Sequence, residues 1–525
     1  MRGETRSMPE IFRVAALLLL GSLAAVRLMA LPVFEDEASQ LHLTERIVEA
    51  REWLAPLADG KPLEAWLMVP FAWLDAQPLW MIRALHVLAG MIGAVLTYRL
   101  ALLQGGSDLE MSAPVRRRVA FTSGVLFAIC PFVVYLQRLA LSDILMCTAG
   151  TGVLLAVGEF IRAPTRHNSR WVAVTLVLAA FCKMPVGFVY LISMPVALAL
   201  LPSQHRRQLL SPDVLSRVLA AHAPALVLAL AVVGVAVVRV RSGHPPGFGL
   251  ADFFGVGLGQ YRGIAAAIGI PRPRLLTELT AQLTWPVVLI GLIGIAVSVG
   301  VDRGQRWLVA MGALPMLAIG LLASFWYSRY LLFTLPPLII ASVSGWQTLG
   351  QRLGAVGAPL RMLALAVCVA LMGWQSALLI LDPAIARWSP LDRFQYFEGW
   401  GSGFGYPQAA QFLLAAQRPP AKIFALDGHS AYQLDNYLPA QWHDRVGTIT
   451  YGPDGQTLGT ESARLENLLS RTPVWIISAE PLLERYLQWS FGPQGAARLV
   501  LHPVAEFDKP GAGNRLGLYE VTPRS

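Results

Sequence analysis

Long runs of apolar residues, separated by short polar stretches, fill the first three quarters of the chain. A helix that crosses a bilayer needs about twenty such residues, and most of the runs come close to that length. The eleven runs lie near 11–31, 78–103, 119–136, 142–161, 171–181, 184–201, 218–238, 285–301, 307–323, 330–346 and 362–381. The pattern predicts an α-helical polytopic membrane protein with about eleven transmembrane helices.

Arginines cluster in every second loop between these runs, which predicts that those loops are cytoplasmic. They are Arg116, Arg117, Arg118, Arg162, Arg166, Arg170, Arg206, Arg207, Arg217, Arg303, Arg306, Arg352 and Arg361. The alternation supports the number of spans, because one missed span would break it. The first run also fits a cleaved signal peptide, an alternative that the pattern leaves open.

The remaining loops then face outward, and two of them are long, at 32–77 and 239–284. We therefore predict a transmembrane domain over residues 1–381 and a small extracytoplasmic α/β domain over residues 382–525. In the second domain short apolar stretches predict strands at 422–426, 474–478, 498–504 and 516–521, and helices at 407–417 and 462–470.

Composition agrees with this picture and excludes several other classes. Hydrophobic residues make up 55% of the 525 residues and charged residues only 14%, which excludes a disordered chain or an ordinary soluble protein. The net charge of +9 suits cytoplasmic loops against anionic lipid. No nucleic-acid partner is expected, because no basic stripe is interleaved with aromatic residues. The four cysteines lack CxxC spacing, so neither a zinc site nor a disulfide framework is indicated.

Ionisable residues concentrate in the short loops that are predicted to face outward. Glu35, Asp36 and Glu37 follow the first run, whereas Arg138, Asp143, Lys183 and Arg329 lie at three later turns. Charges at the membrane are costly, which makes them candidates for function. A carboxylate there can take a proton from an acceptor, and nearby bases can hold a phosphate leaving group. Interface anchors and local ion pairs are the alternative for each residue, including a pair of Asp143 with Arg138.

Several of these segments resemble motifs of GT-C glycosyltransferases, in the branch of protein O-mannosyltransferases and lipid A aminoarabinose transferases. The similarity runs in order through residues 11–346, and two departures are the single proline after Lys61 and Met184 where glycine is common. The segments are Phe34-Glu35-Asp36-Glu37-Ala38, Asp59-Gly60-Lys61-Pro62-Leu63-Glu64-Ala65-Trp66-Leu67, Arg138 to Asp143, Lys183-Met184-Pro185-Val186-Gly187, and Arg329-Tyr330 before Leu335-Pro336.

The resemblance implies a GT-C-like fold and a sugar transfer from a polyprenyl-phosphate donor in the bacterial inner membrane. The acceptor would be an envelope glycan, lipid or protein on the extracytoplasmic side. Asp36 is the expected base, and either neighbour, Glu35 or Glu37, could orient the acceptor, which leaves the choice among the three acids open. Asp143 is the expected second acid. The expected phosphate ligands are Lys61, Arg138, Lys183 and Arg329. No cofactor or obligatory metal is expected, although Asp36 and Asp143 could share a divalent ion.

Two other functions compete with this interpretation. A transporter or flippase of lipid-linked sugars would bury polar residues in the middle of its spans and is often built from repeats. The span interiors here are mostly apolar and no internal repeat is visible. A non-catalytic anchor that presents the C-terminal domain needs only one or two spans. Both remain alternatives to a glycosyltransferase.

Overall fold

The structure is a computed structural model of the whole chain. It describes residues 9–75, 78–104, 111–201, 206–207, 209–242, 274–322, 326–399, 401–416, 420–425, 428–448, 474–479, 499–511 and 514–523. Most of the predicted outer loop 239–284 and the predicted helix 462–470 lie outside these residues.

The chain divides into two compact units. The helical unit comprises Met1–Leu28 and Arg46–Ser389, and the sheet unit comprises Met29–Glu45 and Pro390–Ser525. The second unit thus begins at Pro390 and includes the first part of the loop that follows the first apolar run. The predicted boundary at residue 382 did not include that loop segment.

Helices account for the described structure of the helical unit. The α-helices are Glu10–Ser22, Ala55–Asp59, Pro62–Leu74, Leu79–Gln104, Ala113–Ala128, Pro131–Leu136, Ser142–Arg162, Arg166–Cys182, Met184–Gly187, Ser193–Leu200, Pro212–Arg241, Leu275–Leu283, Trp285–Val301, Arg306–Leu322, Leu335–Arg352 and Gly354–Leu381. Short 3₁₀ helices lie at Leu23–Ala25, Leu28–Ala30, Phe188–Ile192, Arg303–Gln305 and Ser328–Thr334. One further α-helix, Glu35–Ala50, begins in the sheet unit and ends in the helical unit.

Six helices in the described part of the chain are long and apolar enough to cross a membrane, which makes this a multi-pass membrane protein. A seventh span results if Leu275–Leu283 and Trp285–Val301, which meet at a bend of 111°, count as one. Shorter apolar helices at Met184–Leu200 and Arg306–Leu321 cover two more of the predicted runs. The polytopic helical fold is confirmed, and the number of eleven spans stays a prediction.

Prolines and glycines determine where these helices begin and how closely they approach. Pro62, Pro131 and Pro185 each lie at the first or second position of a helix, where the missing N–H has no intrahelical partner to lose. The predicted span 119–136 is divided before Pro131 for this reason. A Cβ atom on Gly345 would lie 1.8 Å from the carbonyl oxygen of Gly294. Small residues of this kind let membrane helices pack closely.

The sheet unit is a small α/β fold around one mixed sheet. Its strands are β1 (Lys422–Ala425), β2 (Val446–Thr448), β3 (Val474–Ala479), β4 (Leu499–Asp508) and β5 (Arg515–Pro523), in the order β2-β1-β3-β5-β4. The first three are parallel, and β5 pairs antiparallel with β3 and β4. Four strands agree with the prediction, whereas β2 was not predicted. The helices are Pro390–Arg393, Tyr406–Ala415 and Gly428–Asp435, with a π-helix at Phe394–Glu398 and a 3₁₀ helix at Ala440–Arg445.

Burial follows the strand order. Every residue of the central strand β3 is buried, which is typical of a strand covered on both faces. The edge strand β4 tolerates Pro503 beside an irregularity in its pairing with β5, as edge strands can. Helix Tyr406–Ala415 lies against the sheet through Phe412, whose ring contacts those of Trp475 and Phe507.

Candidate active site

A break between two apolar helices places Lys183. Helix Arg166–Cys182 ends there because Pro185 has no N–H with which to continue its hydrogen-bond ladder. Lys183 itself is extended, with φ −162° and ψ 92°. The next amide, on Met184, donates to the carbonyl of Gly60 at 2.8 Å. That bond holds the Gly60-Lys61 corner, which turns through a left-handed glycine with φ 78°, against the Lys183 break.

Lys183 forms an ion pair with Asp143. Lys183 Nζ lies 2.8 Å from Asp143 Oδ1, and the two side chains are only 15% and 7% exposed. Asp143 stands in the first turn of helix Ser142–Arg162, where the helix dipole favours a negative charge. The partner of Asp143 is therefore Lys183, and not the nearby Arg138.

Arg329 joins this pair through a tyrosine. Lys183 Nζ lies 4.5 Å from the centroid of the Tyr330 ring, and the Arg329 guanidinium carbon lies 5.6 Å from the same centroid. Arg329 also lies over the Tyr327 ring at 5.2 Å. The face of an aromatic ring attracts a cation, so the two bases share one ring.

Lys61 completes a group of four predicted site residues. The charges of Asp143, Arg329 and Lys61 all act on Lys183, and Lys61 Nζ lies 3.6 Å from Asp59 Oδ2. Lys61, Asp143, Lys183 and Arg329 are thus brought together, and we call them with Asp59 the cation cluster. The five residues carry three positive and two negative charges. The surplus of one positive charge suits a phosphate group.

Arg138, the remaining predicted phosphate ligand, makes different contacts. Its guanidinium donates to the backbone carbonyls of Val26, Arg27 and Leu379, and its side chain is fully buried. Carbonyls at the ends of helices lack intrahelical partners, so Arg138 satisfies them where the first and last predicted spans end.

Asp36 and Glu37 lie in the sheet unit, in the first turn of helix Glu35–Ala50. Glu37 is fully buried, and its Oε2 accepts a hydrogen bond of 2.9 Å from the Phe34 amide. This is the backward half of a capping box, in which the third helical residue caps the amide before the helix. Glu35 is 6% exposed. Asp36 is the one of the three acids that is partly exposed.

Two features of the helical unit were not predicted from the sequence. The first is the contact of Arg329 with the rings of Tyr327 and Tyr330. The position of these tyrosines on both sides of Arg329 in the sequence was the available signal. A buried pair, His86 Nε2 and Glu64 Oε1 at 3.8 Å, lies on the helices that follow Lys61 and the first outer loop. Glu64 stands only three positions after Lys61, which was the available signal. Among the described residues no group of three His, Cys, Asp or Glu is arranged to hold a metal ion.

Similarity to known proteins lies in the fold. No protein-family model matches the chain, and no curated protein matches it in sequence. ArnT from Cupriavidus metallidurans in the apo state is 13% identical to this chain. The structural match covers 97% of each chain, with a TM-score of 0.57. The structure of ArnT bound to undecaprenyl phosphate gives a TM-score of 0.56 at the same identity and coverage.

The archaeal oligosaccharyltransferase AglB from Archaeoglobus fulgidus, in complex with an inhibitory peptide and a dolichol-phosphate, is also similar. It is 12% identical and has a TM-score of 0.54, over 93% of this chain and 72% of its own. The chain has the GT-C fold. The polytopic helical fold that the sequence motifs indicated is therefore confirmed.

Proposed function

We propose that this chain is a membrane glycosyltransferase that transfers a sugar from a polyprenyl-phosphate donor to an acceptor on the extracytoplasmic side. The observation that carries the proposal is the cation cluster within a GT-C fold. The ion pair of Lys183 with Asp143, the pair of Lys61 with Asp59, and Arg329 on the shared tyrosine ring together leave one surplus positive charge. The ArnT and AglB structures, solved with undecaprenyl phosphate and dolichol-phosphate, support a lipid phosphate as the ligand.

The proposed reaction is a direct displacement. An oxygen or nitrogen of the acceptor bonds to the anomeric carbon of the sugar, while the bond between that carbon and the phosphate oxygen breaks. The electron pair leaves with the polyprenyl phosphate, and Asp36 takes the acceptor's proton. A single displacement inverts the anomeric centre. Glu37 acts in this account by capping the helix that carries Asp36.

The cation cluster stabilises the leaving phosphate. The donor is a phosphodiester with one negative charge, whereas the released polyprenyl phosphate gains a second charge as the bond breaks. Positive groups aimed at charge that develops in the transition state lower the barrier. Lys183 and Arg329 supply that charge, with Lys61 beside them, and Asp143 orients Lys183. Arg138 is not included, since both terminal nitrogens of its guanidinium donate to backbone carbonyls.

The loops rich in arginine are cytoplasmic in this proposal, and the sheet unit is extracytoplasmic. The protein then belongs in the bacterial inner membrane, where donor lipid and envelope acceptors meet. The acceptor is an envelope glycan, lipid or protein, and no nucleic acid is involved.

The test uses the full chain in proteoliposomes, with total polyprenyl-phosphate lipids from the host as donors and envelope extract as acceptor. Mass spectrometry measures free polyprenyl phosphate and newly glycosylated product. We expect the two to appear together with the wild type, and neither with the double variant Lys183→Met/Asp143→Asn, which removes the ion pair without leaving an unpaired charge. Movement of donor across the bilayer without release of polyprenyl phosphate would instead identify a transporter.

A further inference from the structure

The start of the Asp36 helix is held by residues from the far end of the chain, all within the sheet unit. The side-chain amide of Gln433 is completely buried and donates two hydrogen bonds, at 3.0 Å to the Val33 carbonyl and at 2.9 Å to the Gly401 carbonyl. The Gly401 carbonyl also accepts from the Glu35 amide at 3.1 Å. The Gln433 side chain thus links Val33, which precedes the helix, to Gly401, whose carbonyl accepts a hydrogen bond from the first amide of the helix.

A second contact, from the turn that follows this helix, fixes the same segment. Tyr437 lies two residues after the end of helix Gly428–Asp435, which carries Gln433. Its hydroxyl accepts a hydrogen bond of 2.7 Å from the Val33 amide. Val33 is therefore held at its carbonyl by Gln433 and at its amide by Tyr437, three residues before Asp36.

The glycine loop (residues 401–405) approaches the start of the helix as closely as backbone allows. A Cβ on Gly403 would lie 2.1 Å from the Val33 carbonyl oxygen, and a Cβ on Gly401 would lie 2.5 Å from the Glu35 carboxyl carbon. The buried Lys509 ammonium holds the loop from the other side, donating to the carbonyls of Gly399 at 2.7 Å and Ser402 at 3.3 Å. A larger residue at Gly403 would displace backbone of the loop or of Val33, whereas one at Gly401 would displace the Glu35 side chain.

These contacts explain why the three acids at this helix start differ. Glu37 accepts the capping hydrogen bond from the Phe34 amide, and the Glu35 carboxyl group lies close to Gly401. The direction of the Asp36 side chain then depends on the position of the first helical turn. The position of the Asp36 carboxylate therefore depends on how the residues before the helix are fixed. A displacement of about 1 Å at a catalytic group can cost about a hundredfold in rate.

We infer that Gln433 is a positioning residue for the Asp36 carboxylate, and that the C-terminal segment takes part in the reaction by holding the start of the Asp36 helix. The inference rests on the proposed role of Asp36 as base. In this role the sheet unit contributes to catalysis and does not serve to recognise a separate partner.

The first experiment tests the clamp without any substrate. Hydrogen exchange of the full chain in nanodiscs is compared for the wild type, Gln433→Leu and the control Gln395→Leu. Gln395 is also buried in the sheet unit, but its side-chain amide has no hydrogen-bond partner among the described residues, so its loss is expected to be neutral. We expect amides 33–37 to exchange at least about tenfold faster in Gln433→Leu only, with peptides around Lys183 unchanged.

The second experiment tests positioning through the pH profile of an isosteric variant. Gln433→Glu keeps the shape of the side chain, but as a carboxylate it cannot donate to the two carbonyls. When protonated it regains one donor. We expect turnover with host donor lipids to fall about tenfold to a hundredfold at neutral pH with little change in KM. The ratio of Gln433→Glu to Gln433→Leu activity should rise as the pH is lowered.

The outcomes separate the inference from the proposed function. Unchanged exchange at amides 33–37 in Gln433→Leu, or a Gln433→Glu enzyme with wild-type kcat at neutral pH, overturns the inference alone. An Asp36→Asn enzyme with full turnover removes the base, and the positioning role falls with it. Faster exchange with a selective loss of kcat supports both.

Discussion

Charged side chains are buried in both units, but different partners stabilise them. In the helical unit Lys183 and Asp143 neutralise each other, and tyrosine rings lie beside Lys183 and Arg329. In the sheet unit the Glu37 carboxylate is stabilised by a backbone amide. A side-chain ion pair can exchange one partner for an incoming anion, whereas a capped carboxylate cannot leave without uncapping its helix. The first region is suited to binding a charged group, and the second to holding an acid in a fixed position.

The largest effect is expected from removing the acid itself. Asp36→Asn should lower turnover by about a hundredfold to ten-thousandfold, which is the usual contribution of a general base. The measurement is the release of polyprenyl phosphate in proteoliposomes. Glu49→Gln is the matched control, because Glu49 is an exposed acid on the same helix, and it should leave turnover unchanged. An equal loss in both variants would assign the effect to the helix and not to Asp36.

The next effect concerns the ion pair. Lys183→Met should destabilise the chain by about 3 kcal/mol, because it leaves the Asp143 carboxylate buried without its partner. Adding Asp143→Asn to the same chain should restore most of that stability. Thermal unfolding of the three variants in detergent checks this double-mutant cycle. If the double variant is no more stable than Lys183→Met, the two side chains do not act as a pair.

Alanine substitutions in the glycine loop test how tightly the sheet unit is packed at the start of the Asp36 helix. Gly403→Ala should cost about 1–3 kcal/mol by overpacking, because its Cβ meets backbone at Val33. Gly401→Ala should cost less, since its Cβ meets the Glu35 side chain, which can move. The control is Gly291→Ala, whose Cβ would meet nothing within 4 Å. Thermal unfolding should rank the three in this order, and equal stabilities for all three would contradict the close approach.

The smallest effect is a pH dependence of stability at Asp435. Burial raises the pKa of the Asp435 carboxyl from 3.8 to about 7, and Glu45 adds to the rise while His443 and His42 oppose it. The folded chain thus holds this proton more tightly than the unfolded chain, so stability is lost as the pH rises from 3.8 to about 7.

Asp435→Asn removes the ionisation that causes this loss. Its melting temperature should match the wild type near pH 4 and exceed it at pH 8 by at least about 2 °C. The exposed Asp444 provides the control Asp444→Asn, for which no such crossing is expected. Parallel melting curves of Asp435→Asn and wild type across this pH range would exclude a buried, protonated Asp435.

Much of the helical unit could be predicted because apolar runs of this length have few alternatives to a membrane helix. The break at Lys183 followed from Pro185, whereas the break before Pro131 was missed inside a continuous apolar run. Strand β2 was missed since three residues are too few for an alternating pattern. The ion pair of Asp143 with Lys183 joins positions 40 residues apart, whereas the sequence pointed to Arg138, five positions before Asp143, as its partner.

The sheet unit was harder to predict at the level of the site. The acids after the first span were recognised, but the choice among Glu35, Asp36 and Glu37 depends on caps and burial that no local pattern encodes. The contacts of Gln433 with Val33 and Gly401 bridge 400 and 32 residues of sequence. Such pairs follow from the tertiary fold, and for that reason the role of the C-terminal segment was not predicted.

The most direct test of the division between the two regions is a binding isotherm for undecaprenyl phosphate, measured on the full chain in nanodiscs. We predict that Asp36→Asn binds this lipid with the wild-type Kd, because Asp36 acts only on the acceptor's proton. The double variant Lys183→Met/Asp143→Asn should bind at least about tenfold more weakly, as expected for the loss of a charge-assisted contact to phosphate. Wild-type affinity in the double variant, or a loss of affinity confined to Asp36→Asn, would show that the cation cluster does not bind the phosphate.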